Sequence, residues 1–379
     1  MKSEIKIFTF HRAHNYGALL QAFALQEFFK EHGFNTKIMD YRCKKIEKPY
    51  MIKITSEMSV KEKIKLLIKK VLFGKKIIDR HKNFDNFIDF ELNLSNSLYT
   101  VDDVLNEINK NDILITGSDQ VWNPEIVGEL SDVYMLNLNC KNLKISYAAS
   151  VGDNNFIKEN ADLYKKKISK INYVSVREES TQKELNKIIS KDVNVTLDPT
   201  LLVDKNLWNK CLKEKESIKK DYIFAYVVSK DDNFIKIANE LSERTGLSII
   251  HTGIKNPGFE KENGSIYSYG PIDFIKYIRD AKYVVTTSFH GTVFSILFHK
   301  KFFVIPHKKT GNRIRDLLRK LNLENRIFDC FEDFIKFKDI DKEEDWEIVD
   351  NVLQNERMKS EKWLLLAISN LKLQGDNDD

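Results

Sequence analysis

What this 379-residue chain lacks narrows its chemistry before any motif is considered. Its four cysteines, Cys43, Cys140, Cys211 and Cys330, are too far apart for the paired spacing of a zinc site or a redox dithiol. They read as reduced thiols, which fits a cytoplasmic protein. No apolar run approaches the ~18 residues of a membrane span. The opening MKSEIKIFTF has neither the apolar core nor the small-residue cleavage site of a secretory signal. Charge of one sign is not in large excess: 61 basic and 56 acidic residues leave a formal net charge of +5. That is too little to imply nucleic-acid binding, whereas an anionic small substrate or a membrane surface suits it equally well. The first crossover loop holds no G-x-G-x-x-G, so the dinucleotide fingerprint is absent. Internal repeats and low-complexity tracts are absent too.

What is present is an alternation of strand and helix in a chain long enough for two domains. Ile5 to Phe10 is a β-branched and aromatic run. After the loop HRAHNYG comes ALLQAFALQEFFKEHG, with Leu19, Ala22, Phe23 and Phe28 at helical spacing, Asn15 as N-cap and Gly33 as stop. KIMDY then completes a βαβ unit, and further strands are expected at 112–118, 144–150, 173–178 and 194–200. The pattern breaks in a charged stretch near 201–221, and a second strand series opens with YIFAYVV at 222–228. We therefore expect an α/β protein with parallel sheets. An N-terminal domain covers 1–205, a C-terminal domain 206–340, and a helical segment 341–379 returns to the first by analogy with other two-domain folds.

Residues 43–100 differ, being strongly basic, with Ile64, Leu67, Ile68, Val71 and Leu72 on one helical face. Such a helix either lies on an anionic membrane, giving peripheral contact with its inner face, or is an insertion whose apolar side packs on the first domain.

Strand ends carry the candidate chemistry, because ligands of open α/β sheets bind outside the carboxyl ends of strands. In KYVVTTSFHGTVF, His290 follows a strand and Gly291 opens a helix. A helix N-terminus attracts an anion, and a histidine beside that anion can act as general acid. Alternatively His290 caps the helix or satisfies a buried polar group. Gly117, Ser118, Asp119 and Gln120, continuing to Pro124, suit either sugar hydroxyls or a tight turn. Arg177 can grip a carboxylate or phosphate, or pair with Glu178, Glu179 or a distant aspartate. Asp198-Pro199-Thr200 reads as a turn. His11, Arg12, His14 and Asn15 form the first crossover loop, and Lys308, Lys309, Arg313 and Arg315 form a basic cluster one crossover past His290.

Taken in order, NYGALLQAFALQ, GSDQVWNP, SYAAS, SVREES, LDPTLL and SFHGTVFSILF resemble the polysaccharide pyruvyl transferase family from residue 5 to about residue 328. The resemblance implies two Rossmann-like domains facing a cleft, a glycosyltransferase-B-like arrangement. It implies transfer of a pyruvyl group from phosphoenolpyruvate to two hydroxyls of a sugar, on a surface glycan or its lipid-linked precursor, as a cyclic ketal. Neither metal nor nicotinamide cofactor is implied. The family's active-site histidine falls on His290, its Arg-Glu/Asp-x-x-Ser arginine on Arg177, and a donor-binding lysine on Lys308 or Lys309. Substrate contacts are further expected from Asn15, from Gly117 to Gln120, and from Ser288, Gly291 and Arg313. Ser288 stands where many members have arginine, which removes one cation from the donor site. A nucleotide-sugar glycosyltransferase and a non-catalytic glycan-binding protein are the alternatives.

Overall fold

The protein is described by a computed structural model over residues 3–375, except residues 53, 57, 229, 230 and 309, with side chains described through residue 369. The chain divides into two compact units. Met1–Pro49, Ile88–Val203 and Asp350–Asp379 form the first, Tyr50–Phe87 and Asp204–Val349 the second. Among the described residues no helix is long and apolar enough to cross a membrane.

In the first unit six short strands, β1 (Ile5–Phe8), β2 (Thr36–Ile38), β3 (Ile113–Thr116), β4 (Lys144–Ala149), β5 (Tyr173–Val176) and β6 (Val193–Val195), form a parallel sheet. Their order is β2-β1-β3-β4-β5-β6. β1 and β3 are buried along their whole length, as expected when both faces of a parallel sheet are covered. The one charge in β1, Lys6, is buried against Glu4 at 2.6 Å and Asp112 at 3.7 Å. The helix Tyr16–Glu31 begins as its sequence suggests, with Asn15 Oδ1 accepting the Ala18 N–H at 3.2 Å. It ends at His32, with Gly33 in the left-handed region at φ +77°.

The ends of β1 and β2 are tied by one carboxylate. Asp40 accepts from Arg12 Nε at 2.8 Å and Nη2 at 2.7 Å, and from Ser97 Oγ at 2.8 Å. His11 Nε2 lies 2.9 Å from the same group. Burial alone would push the Asp40 carboxyl up, but the hydrogen bonds and charges of His11 and Arg12 outweigh it and hold the pKa well below the usual carboxylate range.

The second unit repeats the plan with β7 (Ile223–Tyr226), β8 (Ile249–His251), β9 (Glu262–Ser265), β10 (Tyr283–Thr286) and β11 (Lys301–Val304), all parallel. The order is β11-β10-β7-β8-β9. β9 has no counterpart in the sequence reading, since its residues ENGS carry no apolar side chain and lie mostly exposed at the sheet edge. Each sheet changes direction of growth once, between β1 and β3 in the first unit and between β7 and β10 in the second.

Two segments depart from simple chain order. The basic insertion was expected within the N-terminal domain, but residues 50–87 group with the second unit. The physical reason lies in the helix Val60–Glu91, where Arg80 Nη1 donates to the Tyr267 carbonyl at 2.9 Å and Asn83 Nδ2 to the Ser268 carbonyl at 2.7 Å. Arg80 also lies over the Tyr267 ring at 4.8 Å. The last helix, Trp346–Gly375, joins the first unit from Asp350 onward. There Ser360 Oγ accepts the Leu197 N–H at 3.0 Å and Arg357 Nε donates to the Leu201 carbonyl at 2.9 Å.

The helix Phe289–Leu297 is pressed onto the second sheet. A Cβ on Gly291 would lie 2.4 Å from Thr286 Oγ1 and 3.0 Å from Tyr226 Cδ1. The Thr286 hydroxyl cannot easily move, because it donates to the Tyr226 carbonyl at 2.9 Å and accepts the Ser288 N–H at 3.0 Å.

Two stability measurements test these contacts. Gly291→Ala should lower the unfolding free energy in urea by about 1–3 kcal/mol through overpacking, and an unchanged midpoint would show that the helix can retreat without loss. Asp40→Asn should cost about 2 kcal/mol at neutral pH. Because the folded carboxyl is depressed, its contribution is present above the unfolded value of about 3.9 and is lost as pH falls through the folded value. The gap between parent and variant should therefore close in acid, and a gap independent of pH would contradict the pairing.

Candidate functional site

In the second unit the switch between β7 and β10 brings together the loops that follow both strands. Thr287 N–H donates to the Tyr226 carbonyl at 3.2 Å and Val228 N–H to Thr287 Oγ1 at 3.1 Å, so the two strand ends are joined. His290 follows immediately, 7% exposed, as the second residue of the helix Phe289–Leu297. The expectation that Gly291 opens this helix is corrected. Ser288 is the N-cap, its Oγ accepting the Gly291 N–H at 3.3 Å, and its carbonyl accepts from Thr292 Oγ1 at 3.0 Å. Gly291 serves by its missing side chain, and its N–H is taken by the cap rather than offered to a ligand. The partial positive charge of the helix end remains beside His290.

The Phe289 ring meets His290 edge-on, with centroids 5.2 Å apart, and the Arg313 guanidinium lies 5.8 Å from the same Phe289 ring. Arg313 thus stands within one aromatic ring of His290. Lys308 is exposed in the loop after β11, while Lys309 lies outside the described residues. Arg315 turns to an ion pair with Asp329. The unit therefore gathers a buried histidine, a helix N-terminus and one nearby guanidinium at its switch point, a set of groups suited to an anion that must be protonated.

The first unit gathers a different set. Gly117 is in the left-handed half of conformational space, and a Cβ there would fall 2.1 Å from the Tyr147 carbonyl oxygen, so glycine is required for the loop to cross β4. Ser118 N–H donates to Gln21 Oε1 at 3.1 Å, and Ser118 Oγ lies 2.9 Å from the Ala148 carbonyl and 3.2 Å from Asp198 Oδ2. Gln120 Oε1 accepts from Asn123 Nδ2 at 2.9 Å, and Asn123 caps the short helix Pro124–Val127. Trp122 is fully buried. Both open readings of this loop are thus informed: its side chains hold the turn, and Ser118 and Gln120 are engaged within the chain.

Arg177 lies at the end of β5, its side chain only 2% exposed, facing carboxylates. Nη1 donates to Asp198 Oδ2 at 2.8 Å, Nε lies 3.4 Å from Glu178 Oε1, and Nη2 is 3.7 Å from Asp119 Oδ1. Burial works against the guanidinium charge, but Glu178, Asp198 and Asp119 outweigh it and raise the Arg177 pKa. Asp198 also caps the following turn, accepting the Thr200 N–H at 3.0 Å. Of the two readings of Arg177, the ion pair with a distant aspartate is the one the geometry displays. Asn15 is likewise occupied as a helix cap.

Sequence reasoning named Glu178 as a partner of Arg177 but missed Asp40 and the part of Asp198 as charged partners at strand ends. The signal for Asp40 was available: KIMDY ends the second strand of a βαβ unit, so Asp40 had to emerge beside His11 and Arg12. The side-chain pairing of Asp198 with Arg177 depends on which strands neighbour each other, which the local pattern around DPT does not encode.

The fold matches solved proteins over almost its entire length. The UDP-GlcNAc 2-epimerase of Methanocaldococcus jannaschii, solved with UDP-GlcNAc and UDP, superposes with a TM-score of 0.53 at 13% identity, covering 98% of this chain and 100% of the other. The Neisseria meningitidis UDP-GlcNAc 2-epimerase, bound to UDP-GlcNAc, gives 0.53 at 11% identity over 97% and 100%. At such identities the likeness establishes the fold alone, which is of the glycosyltransferase-B type. No curated protein matched the sequence. The family model for polysaccharide pyruvyl transferases matches residues 15–309, a span that contains His290 and Arg177 but ends before Arg313. This chain belongs to the polysaccharide pyruvyl transferase family.

Proposed function

We propose that this transferase moves the pyruvyl group of phosphoenolpyruvate onto two hydroxyls of a sugar, in a surface glycan or its lipid-linked precursor, to form a ketal. The observation that carries the reading is the position of His290, buried at the β7/β10 switch on the first turn of a helix. In this reading the chain works in the cytoplasm, where phosphoenolpyruvate is made.

His290 gives a proton to the methylene carbon of the donor, which becomes a methyl group and leaves an oxocarbenium-like centre at C2. One sugar hydroxyl attacks C2 and loses its proton, phosphate departs, and the second hydroxyl closes the ketal. Of the two hydroxyl protons, one replaces the proton lost from His290 and the other leaves with phosphate. The positive end of the helix Phe289–Leu297, Arg313 and Lys308 balance the donor's charge, since Ser288 offers no cation and its hydroxyl already caps the helix. The resemblance also gives Arg177 to substrate binding, where its guanidinium already faces Asp198 at 2.8 Å and Asp119 at 3.7 Å within the first unit.

His290→Gln should keep the fold and phosphoenolpyruvate affinity while lowering turnover by about 100-fold or more, the scale of a lost general acid. Full turnover in a folded His290→Gln chain would remove the proton-donor role. Replacing Lys308 and Arg313 together by alanine should weaken phosphoenolpyruvate binding by about 2 kcal/mol or more in calorimetry. If the parent chain ignores phosphoenolpyruvate but is saturated by a nucleoside diphosphate, glycosyl transfer replaces this proposal.

A further inference from the structure

The helix Val60–Glu91 carries a face that the proposed chemistry does not use. Of the eighteen large apolar side chains that are exposed among the described residues, six fall between Val60 and Leu72. They are Val60, Ile64, Leu67, Ile68, Val71 and Leu72, from 49% exposed at Leu67 to 84% at Val71. Their spacing of three and four residues places them on one stripe. The expectation that this apolar side packs on the first domain is thus overturned, since the stripe is open to solvent.

The opposite side of the helix is its attachment. Ile77 is buried, the Phe73 ring lies beneath Lys255 Nζ at 5.2 Å, and the Lys76 carbonyl accepts from Ser268 Oγ at 3.2 Å. A kink at Phe73, where φ is −137°, separates the anchored portion from the turns that carry the stripe. Exposure of the stripe is therefore a consequence of which side the second unit holds.

Charge identifies what covers it. Between residues 61 and 76 there are seven lysines, at 61, 63, 65, 69, 70, 75 and 76, against the single acid Glu62. At about 100° per residue, Lys63 and Lys70 border the stripe on one side and Lys61 and Lys65 on the other. An apolar band with ammonium groups along both margins matches the boundary of an anionic bilayer, where acyl chains lie beneath phosphate headgroups. Lysine stems can lie along the apolar zone while their charges stay at headgroup level. A second copy of the same helix would bring two lysine-rich surfaces together and be repelled.

We infer that the turns Val60–Leu72 dock this protein on an anionic membrane surface, a role independent of which donor it uses. The test is flotation of the full chain with vesicles of phosphatidylcholine alone or with phosphatidylglycerol added. Binding is expected only with phosphatidylglycerol, falling steeply as salt rises because exposed charges are screened. Changing Leu67, Val71 and Leu72 together to glutamine should weaken it at least tenfold, as should changing Lys61, Lys65 and Lys70 together to glutamine. Both variants should melt like the parent, since every altered side chain is exposed. Absence of flotation with anionic vesicles at low salt overturns the inference. So does concentration-dependent dimerisation, without vesicles, that the Leu67, Val71 and Leu72 variant abolishes.

Discussion

The contact of Gly291 with Thr286 and Tyr226 decides where His290 stands. Only a residue without a side chain lets the helix end come this close to the strands, and Ser288 caps that end by accepting the Gly291 N–H. Thr286 then fixes the entry to the turn through Ser288 N–H. The histidine is consequently presented by a rigid element at the switch of a parallel sheet, just past strand ends that hydrogen bonds join. The chemistry proposed for it asks for little beyond that placement: an anion bound at a helix's positive end, with Arg313 one aromatic ring away.

The two units treat their strand ends differently. The second places a histidine, a helix terminus and basic side chains there. In the first, Asp40, Asp119, Glu178 and Asp198 outnumber the arginines they face, Arg12 and Arg177. Buried ion pairs of this kind add little net stability compared with apolar packing, but removing one partner is costly because the other charge is stranded. They hold the loops after β1, β3, β5 and β6 in defined positions.

Much of the fold was legible because parallel strands buried on both faces announce themselves as short apolar runs, as IKIF, ILIT and YVVT do. β9 was invisible for the complementary reason: an edge strand with residues ENGS needs no apolar side chains. His290 could be singled out because an abrupt histidine and glycine after such a run is a local feature. The cap at Ser288 needed the actual helix start, which local pattern leaves uncertain by a residue or two. The partners of Arg177 and the allegiance of residues 50–87 depend on distant segments meeting, through Asp198 in one case and Tyr267 and Ser268 in the other. The amphipathic stripe was legible as a pattern, whereas its exposure required knowing which side of the helix was held.

Pyruvyl transfer as proposed requires the chain to add a proton to the methylene carbon of phosphoenolpyruvate while joining C2 to a sugar. Incubation of the full chain with phosphoenolpyruvate and the surface glycan of its source, or its lipid-linked precursor, in deuterium oxide tests this directly by NMR. Pyruvyl transfer should give a ketal methyl group carrying one deuterium, formed together with one inorganic phosphate. Unchanged phosphoenolpyruvate in a mixture where the same chain consumes a nucleotide sugar and glycosylates the glycan would contradict it.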